Sequence, residues 1–192
     1  MSNKKLECML DLETYGRGNK AAIISIGATH FEPKGNEARY STFECFVDPQ
    51  SCVDIGMVVD VSTVNWWMGV DCKDSVDRDV MNAARTVLAE KLKMAVPIRD
   101  ALHRFSAWLG ENKPVWGNSS TFDNVILRNA YELAGIPCPW EFWNDRCYRT
   151  MKNLVPHVKM QRVGVYHSAM WDAISQAEHL QQINRRITIS GE

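Results

Sequence analysis

The most constraining feature of the sequence is an apolar strand that ends in two carboxylates. Residues 6–12 (LECMLDL) have the composition of a buried strand, and its period of two places Met9, Asp11 and Glu13 on one side. The loop 14–18 follows, so the two acidic side chains emerge together where the strand ends. An isolated D-x-E is more often a strand that ends in solvent. Because this strand is apolar between Glu7 and Asp11, and paired carboxylates repel unless a cation lies between them, we favour a metal site.

The first quarter of the chain is rich in strand patterns, and helices alternate with short strands after it. Residues 21–31 and 40–47 are predicted strands separated by the turn 33–36, which indicates an antiparallel three-stranded meander. Ser62 or Thr63 is predicted to cap a short helix, residues 48–60 are irregular, and residues 71–79 form a polar loop. Further helices are predicted over 80–95, 98–109, 122–134, 146–154 and 169–183, with short strands over 114–117 and 140–143. This order predicts one α/β domain over residues 1–192, in which a mixed sheet (the antiparallel meander plus parallel strands) is flanked by helices.

Composition sets only broad limits on function. The 192 residues carry a net charge of −1, so no bulk positive charge indicates nucleic acid, although a metal-dependent nuclease can bind phosphate through its ions. The sequence contains neither a membrane-spanning apolar run nor a signal segment, and its six cysteines form no CxxC pair. We therefore expect a cytoplasmic protein with reduced thiols and no membrane partner.

A histidine and an aspartate flank the predicted start of the last helix. Ser168 is a suitable N-cap, and Asp172 falls in the early turns, where the helix dipole favours a carboxylate. His167 is five residues before Asp172, which is not a same-face helical interval, so we expect it on the preceding loop. A titratable base beside an acidic metal ligand is an arrangement used by hydrolases.

The fourth acidic candidate is Asp123, in the first turn of a predicted helix that follows a short strand. Strand ends of an open α/β sheet collect in one crevice, so Asp123 is expected near Asp11, Glu13 and Asp172. Four clustered carboxylates need cations, and hard oxygen ligands suit two Mg²⁺ or Mn²⁺ ions that clamp the oxygens of a phosphodiester. His167, with an ordinary pKa near 6.5, is the candidate base for the attacking water.

Three motifs in order carry a family resemblance: D-L-E at residues 11–13, N-S-S-T-F-D at 118–123 and H-S-A-M-W-D at 167–172. This set resembles the DnaQ-like 3′–5′ exonucleases of the ribonuclease H-like superfamily. His167 marks the DEDDh branch, because Ser168 stands where the tyrosine branch has its tyrosine. Residues 11–16, 21–28 and 63–67 (TVNWW) are similar to a compact phage and bacterial subgroup, described as exonuclease VIII-like or as 3′–5′ exoribonucleases. A phage-encoded member would act in the host cytoplasm.

The resemblance implies a ribonuclease H-like domain that removes nucleoside 5′-monophosphates from the 3′ end of single-stranded RNA or DNA. It implies that Asp11, Glu13, Asp123 and Asp172 are metal ligands, that His167 is the base, and that Thr14 lies near the terminal nucleotide. The second motif departs from the common H-N-x-x-F-D form, because Gly117 replaces its histidine and one extra residue follows Asn118. A catalytically silent nucleic-acid-binding module on the same fold is the alternative, and a homodimer is compatible with either function.

Besides Thr14 and Asn118, three residues are candidate substrate contacts. Trp66 and Trp67 lie on the predicted short helix, where at least one tryptophan is expected to pack in the core and the other to stack on a base. Arg162 belongs to a run of five basic residues without an acidic one over 146–166. Such a run is either a solvated surface or a surface that faces phosphates.

Overall fold

The computed structural model describes residues 5–35, 37–70 and 78–189. Its strands are β1 (Glu7–Thr14), β2 (Ile23–Phe31), β3 (Ser41–Phe46), β4 (Val115–Gly117) and β5 (Asp145–Cys147). Its helices are α1 (Pro49–Asp54), α2 (Val61–Met68), α3 (Arg78–Leu92), α4 (Ile98–Leu109), α5 (Val125–Ala134), α6 (Tyr148–Leu154) and α7 (Ala169–Ile189). Within these ranges no helix combines the length and the apolar character that crossing a membrane requires. The predicted loop 71–79 falls mostly outside the described residues, and its last two residues open α3.

The five strands form one mixed sheet in the order β3-β2-β1-β4-β5. β1 pairs antiparallel with β2, and β2 pairs antiparallel with β3, which is the predicted meander. β4 pairs parallel with β1, and β5 pairs parallel with β4. The predicted α/β fold with a mixed sheet is therefore confirmed, and β1 occupies the centre of the sheet.

Helices cover both faces of the sheet, and the alternation along β1 decides which residue meets which helix. Cys8, Leu10 and Leu12 face one core, to which α4 contributes its apolar stripe of Ile98, Ala101, Leu102 and Phe105. Met9 faces the other core, formed with Ala173, Ala177 and Leu180 of α7. Asp11 and Glu13 share the parity of Met9, so they leave the sheet on the side of α7.

Two helix starts differ from the predictions because aspartates cap them. Residues 48–60 are not irregular throughout: Asp48 accepts hydrogen bonds from the backbone N–H groups of Gln50 and Ser51, and Pro49 occupies the first position of α1. Neither Ser62 nor Thr63 caps α2. Asp60 does so, accepting the Ser62 N–H at 2.8 Å.

The strand predicted over 140–143 is wrong. Trp140 is buried and donates its indole N–H to Asp145 at 2.8 Å, and residues 142–144 form a single 3₁₀ turn. The strand comes immediately afterwards as β5, where Asp145–Cys147 pairs with β4, so α6 begins at Tyr148 instead of residue 146. The aromatic-rich residues 140–143 have the composition of a strand, but the residues that pair with β4 are Asp145–Cys147.

Candidate active site

The ends of β1 and β4 bring three of the four predicted carboxylates together. These neighbouring strands are parallel, so their carboxyl ends meet at the same edge of the sheet. Asp11 and Glu13 leave β1 there, and Asp123 lies in the turn that follows β4. The Leu12 N–H donates to Asp123 Oδ1 at 3.2 Å and the Ser119 N–H donates to Oδ2 at 3.0 Å. These two backbone donors fix the Asp123 carboxylate against β1.

Helix α7 adds the fourth carboxylate. Asp172 lies in its first turn, where its N–H donates to the Ser168 carbonyl at 2.9 Å. Ser168 thus directly precedes the helix, as predicted, and its hydroxyl donates to Glu44 at 3.4 Å. One turn further along α7, Gln176 donates its side-chain amide to Asp11 Oδ1 at 2.7 Å and ties the helix to the centre of the sheet.

His167 lies on the loop just before α7 and leans over the carboxylates. Its φ of 54° is in the left-handed region, which histidine adopts more readily than most residues and which turns its ring back toward β1. His167 Nδ1 lies 3.9 Å from Glu13 Oε1. One ligand atom each from Glu13, His167 and Asp172 lie within 4.8 Å of one another. The structure therefore places all five predicted catalytic residues at one edge of the sheet.

The electrostatics of this cluster suit a cation. Burial, reinforced by the neighbouring carboxylates, raises the pKa of Asp11 well above its ordinary value and that of Glu13 to about 8. Burial also raises the pKa of Asp172, and it raises that of Asp123 to about 6 against the opposing effect of its backbone donors. Buried carboxyl groups with raised pKa values lose their protons reluctantly when no cation is near. A divalent cation bound among them would stabilise their ionised form.

Burial, together with two positive charges, lowers the pKa of His167. The charges belong to Arg162 and Arg85, which disfavour a further proton on the imidazole. His167 is therefore neutral at physiological pH, with a lone pair available to accept a proton. Arg162 also forms an ion pair with Asp172, and its guanidinium lies over the Tyr166 ring at 4.6 Å from the centroid.

A pocket of about 470 Å³ opens beside His167 and Glu13. Thr14, Trp66 and Trp67 line it, as do Gly16, Arg17, Ser62, Thr63, Phe122 and Leu12. Trp67 is 7% exposed and donates its indole N–H to the Thr14 carbonyl at 3.1 Å, so it is the packing tryptophan of the pair. Trp66 is half-buried, and its ring centroid lies 5.2 Å from that of His167 in an edge-to-face arrangement.

Asn118 follows β4, and its carbonyl accepts the Arg149 N–H at 3.0 Å. The extra residue of this motif is accommodated by a wide π turn over Ser120–Asn124, since such turns absorb single insertions. The glycine in place of a histidine also has a structural reason. A Cβ on Gly117 would lie 2.2 Å from Asn124 Oδ1, so this position has no room for a side chain.

Several residues that shape the site were not found from the sequence. Gln176 is four residues after Asp172, on the same face of α7, and this spacing was an available signal. Arg85 of α3 donates to the Trp66 carbonyl at 2.9 Å and holds the end of α2, although no local pattern indicates it. Phe122 packs against the core and also lines the pocket.

The order of the strands and the helices on both faces of the sheet match the ribonuclease H-like fold of DEDDh exonucleases. The fold is similar to solved structures of the nuclease domain of 3'hExo, "a DEDDh family member, bound to rAMP" (TM-score 0.59, 15% identity, 99% of this chain and 94% of that one), and of cell-death related nuclease 4, CRN-4 (0.59, 14%, 95% and 64%). A full-length 3'-exonuclease is also similar, with a TM-score of 0.56 and 14% identity over 99% of this chain and 84% of that one. At these identities the likeness concerns the fold.

The profile of the Rv2179c-like 3'-5' exoribonuclease domain matches residues 6–184, and the chain belongs to this family. It is therefore a DnaQ-like 3'-5' exonuclease, as the three motifs predicted. No curated protein sequence matches the chain significantly. Family membership favours the enzyme over the catalytically silent binding module.

Proposed function

We propose that this 3'-5' exonuclease is metal dependent, acts on single strands and prefers RNA, from which it releases nucleoside 5′-monophosphates one at a time. The preference for RNA follows the family's description as an exoribonuclease. The observation that carries the proposal is the convergence of four buried or nearly buried carboxylates with a neutral histidine beside a pocket of nucleotide size. A single domain over residues 1–192, a cytoplasmic location and a homodimer stay predictions.

Asp11, Glu13, Asp123 and Asp172 would hold two divalent cations, either Mg²⁺ or Mn²⁺. Their donor set consists of carboxylate oxygens only, which these hard ions prefer. When bound, the ions supply charge stabilisation to the oxygens that gain negative charge in phosphodiester hydrolysis. Gln176 holds Asp11, and the backbone donors of Leu12 and Ser119 hold Asp123, so both carboxylates are oriented before any ion binds.

His167 is the proposed general base. Its lowered pKa keeps the imidazole neutral, and its loop position points the ring at Glu13, next to the reacting phosphate. The oxygen of a water molecule forms the new bond to phosphorus while His167 takes its proton. The bond from phosphorus to the 3′ oxygen of the preceding nucleotide breaks, and this oxygen takes a proton from solvent. The released nucleotide thus keeps a 5′ phosphate, and the shortened strand keeps a 3′ hydroxyl.

The pocket of about 470 Å³ is proposed to receive the terminal nucleoside. Its volume lies within the usual range for small-ligand sites. Trp66 offers a partly exposed ring for base stacking, and stacking requires an unpaired base, which favours a single strand. Thr14 borders the same pocket, and Arg162 and Asn118 are the proposed phosphate-side contacts.

The direct test uses matched RNA and DNA oligonucleotides labelled at the 5′ or the 3′ end, with Mg²⁺, Mn²⁺ or EDTA. We expect a 5′-labelled RNA to shorten in single-nucleotide steps with either ion, and a 3′-labelled RNA to release labelled mononucleotide first. EDTA should stop both reactions. Hydrolysis that persists in EDTA would refute the metal requirement, and faster degradation of DNA would refute the preference for RNA.

A further inference from the structure

The loop that precedes α7 in sequence lies along one face of this helix, from its far end to its catalytic end. This loop, residues 155–168, is called the strap below. The Val163 N–H donates to Ser175 Oγ at 3.0 Å, and the Val158 carbonyl accepts from His179 Nε2 at 2.9 Å. Arg162 pairs with Asp172 at the catalytic end. Because positions 172, 175, 179, 182 and 186 share one helical face, the strap lies antiparallel to α7: it begins near the far end of the helix and ends at the active site.

At the far end the strap and α7 enclose a second groove of about 580 Å³. Its lining is His157, Val158, Lys159, Gln182, Arg185 and Arg186. The side chains of Lys159, Arg185 and Arg186 are exposed. Three of the six lining residues are cationic, and the groove therefore suits an anion.

The strap belongs to a basic stretch of the sequence although the whole chain carries a net charge of −1. Between Asp145 and Asp172 the sequence has five lysines and arginines and neither Asp nor Glu. The next acidic residue on α7, Glu178, is neutralised by Arg39 at 3.0 Å. Lys159 and Arg186 line the far groove, and Arg162, three residues after Lys159 in the strap, lies at the catalytic site, so cations occur at both ends of α7.

We propose that this groove binds phosphates of the substrate strand upstream of the bond that is hydrolysed. The inference rests on the proposed function, because it assumes that the 3′ end lies in the pocket beside His167. Asp172 and Arg186 are 14 residues apart on α7, which corresponds to about 21 Å at 1.5 Å per residue. At about 3.4 Å per stacked nucleotide this distance corresponds to about six nucleotides. A single strand carries a phosphate at every nucleotide, so a strand of this length could contact cations at both ends of α7.

The proposal predicts that affinity depends on the length of the oligonucleotide. A dinucleotide fills the catalytic pocket without reaching Lys159 or Arg186, whereas a 12-mer reaches both. Each phosphate contact with a single strand adds about 0.7 to the slope of log affinity against log salt. Two contacts in the groove therefore add about 1.4 to that slope for the longer substrate.

The test compares the double variant Lys159→Gln/Arg186→Gln with Arg104→Gln, which removes an exposed cation from α4 on the opposite face of the sheet. Fluorescence anisotropy in EDTA gives the Kd of a labelled RNA 12-mer over a range of salt concentrations. Dinucleotide hydrolysis with Mg²⁺ is measured on the same preparations, together with the melting temperature. We expect the double variant to bind the 12-mer severalfold more weakly with a shallower salt slope, while the control binds like wild type.

The outcomes separate this inference from the proposed function. Dinucleotide turnover should stay within about twofold of wild type in both variants, because neither touches the catalytic end. The proposal that the groove binds phosphates would be wrong if the wild-type protein bound the 12-mer no better than the dinucleotide. It would also be wrong if the double variant bound the 12-mer like the control. If the double variant bound the 12-mer more weakly than wild type but neither protein hydrolysed any substrate, the proposed function would be wrong while the groove would still be a binding site for the strand.

Discussion

Gly27 of β2 lies directly opposite Asp11 of β1, and the first turn of α7 rests on it. A Cβ on Gly27 would lie 2.0 Å from the Ala169 carbonyl carbon and 2.0 Å from the Met170 nitrogen. Since α7 carries Asp172, the absence of a side chain at Gly27 sets how closely Asp172 approaches Asp11. A residue without any functional group thus determines the geometry of the acidic cluster.

Gly27→Ala should therefore displace the start of α7 and separate the carboxylates. Because misplacement of a catalytic group by about 1 Å can cost about 10²-fold in rate, we expect a loss of that order. Overpacking should also lower the free energy of unfolding by about 1–3 kcal/mol. Steady-state hydrolysis and thermal melting on the same preparation measure both effects.

Gly18→Ala is the matched control, because a Cβ at Gly18 meets no atom within 4 Å. This variant should keep wild-type rate and stability. Equal activity of the two variants would show that α7 does not depend on Gly27 for its position.

Local patterns in the sequence were sufficient for most elements and for finding the five residues that meet at the candidate site. The alternation in β1 placed Asp11 and Glu13 on one side, and the apolar stripe of α4 predicted its bounds of Ile98–Leu109, which the structure reproduces. Such features are local in sequence, so propensity and periodicity reveal them. The start of α1 is also a local feature, since Asp48 followed by Pro49 is a helix-start signal in the sequence itself.

The contribution of Gly27 could not be read from the sequence, because the backbone that it contacts at Ala169 is 142 residues away. The pairing of β5 with β4 is likewise a tertiary contact, and without it the aromatic residues 140–143 looked like the strand. The position of Arg162 beside Asp172 depends on how the strap packs against α7. The charge run that contains Arg162 left open whether this surface faces solvent or phosphates, and it gave no distance from the catalytic end.

Stability in the absence of cations should fall as pH rises. Glu13 has an ordinary pKa of 4.5, and burial with its acidic neighbours raises it to about 8 in the folded protein. The folded state therefore binds protons more tightly than the unfolded state between these values, and the free energy of unfolding decreases across that window. In EDTA, the melting temperature should be higher at pH 5.5 than at pH 8.

Added Mg²⁺ or Mn²⁺ should reverse this trend, since the ions bind the ionised carboxylates and displace their protons. The stabilisation by cations should be larger at pH 8 than at pH 5.5, and Glu13→Gln should reduce the pH dependence in EDTA. Stability in EDTA that increases from pH 5.5 to pH 8 would contradict the raised pKa values.

Neutralising the carboxylates should remove activity without unfolding the protein. We expect Asp11→Asn, Glu13→Gln, Asp123→Asn and Asp172→Asn each to reduce hydrolysis to near background at saturating Mg²⁺. Their melting temperatures in EDTA should match or exceed wild type, because each change relieves repulsion among buried groups. Glu132→Gln, at an exposed carboxylate of α5, is the control and should be fully active. Near-wild-type rates in all four variants would refute the two-metal assignment.

His167→Asn tests the general base while preserving the backbone. Asparagine tolerates the left-handed conformation at φ 54°, whereas alanine would add strain there. Loss of a positioned base typically costs about 10²–10⁴-fold, so we expect that reduction in the single-turnover rate with little change in oligonucleotide affinity. His103→Asn, at an exposed position of α4, should be unaffected.

The pH profile separates a catalytic His167 from a structural one. Because burial, Arg162 and Arg85 lower its pKa below the ordinary 6.5, the wild-type rate should be near its plateau at pH 7 and fall only in more acidic solution. The residual rate of His167→Asn should instead rise with pH, as hydroxide replaces the missing base. A variant with a lower melting temperature but an unchanged single-turnover rate would show that His167 only supports the loop.

Replacing each of the two neighbouring tryptophans by alanine should affect different properties: stability for Trp67 and oligonucleotide affinity for Trp66. Trp67 is 7% exposed and hydrogen-bonded to the Thr14 carbonyl, so Trp67→Ala should lower the free energy of unfolding by about 3–5 kcal/mol. Trp66 presents a half-buried ring to the pocket beside His167. Trp66→Ala should leave stability closer to wild type and weaken oligonucleotide binding by about 1–3 kcal/mol, the usual contribution of one stacked base. Urea unfolding and anisotropy titrations on both variants give the two quantities, and each variant serves as the control for the other. Unchanged affinity in a folded Trp66→Ala protein would remove Trp66 from the substrate site.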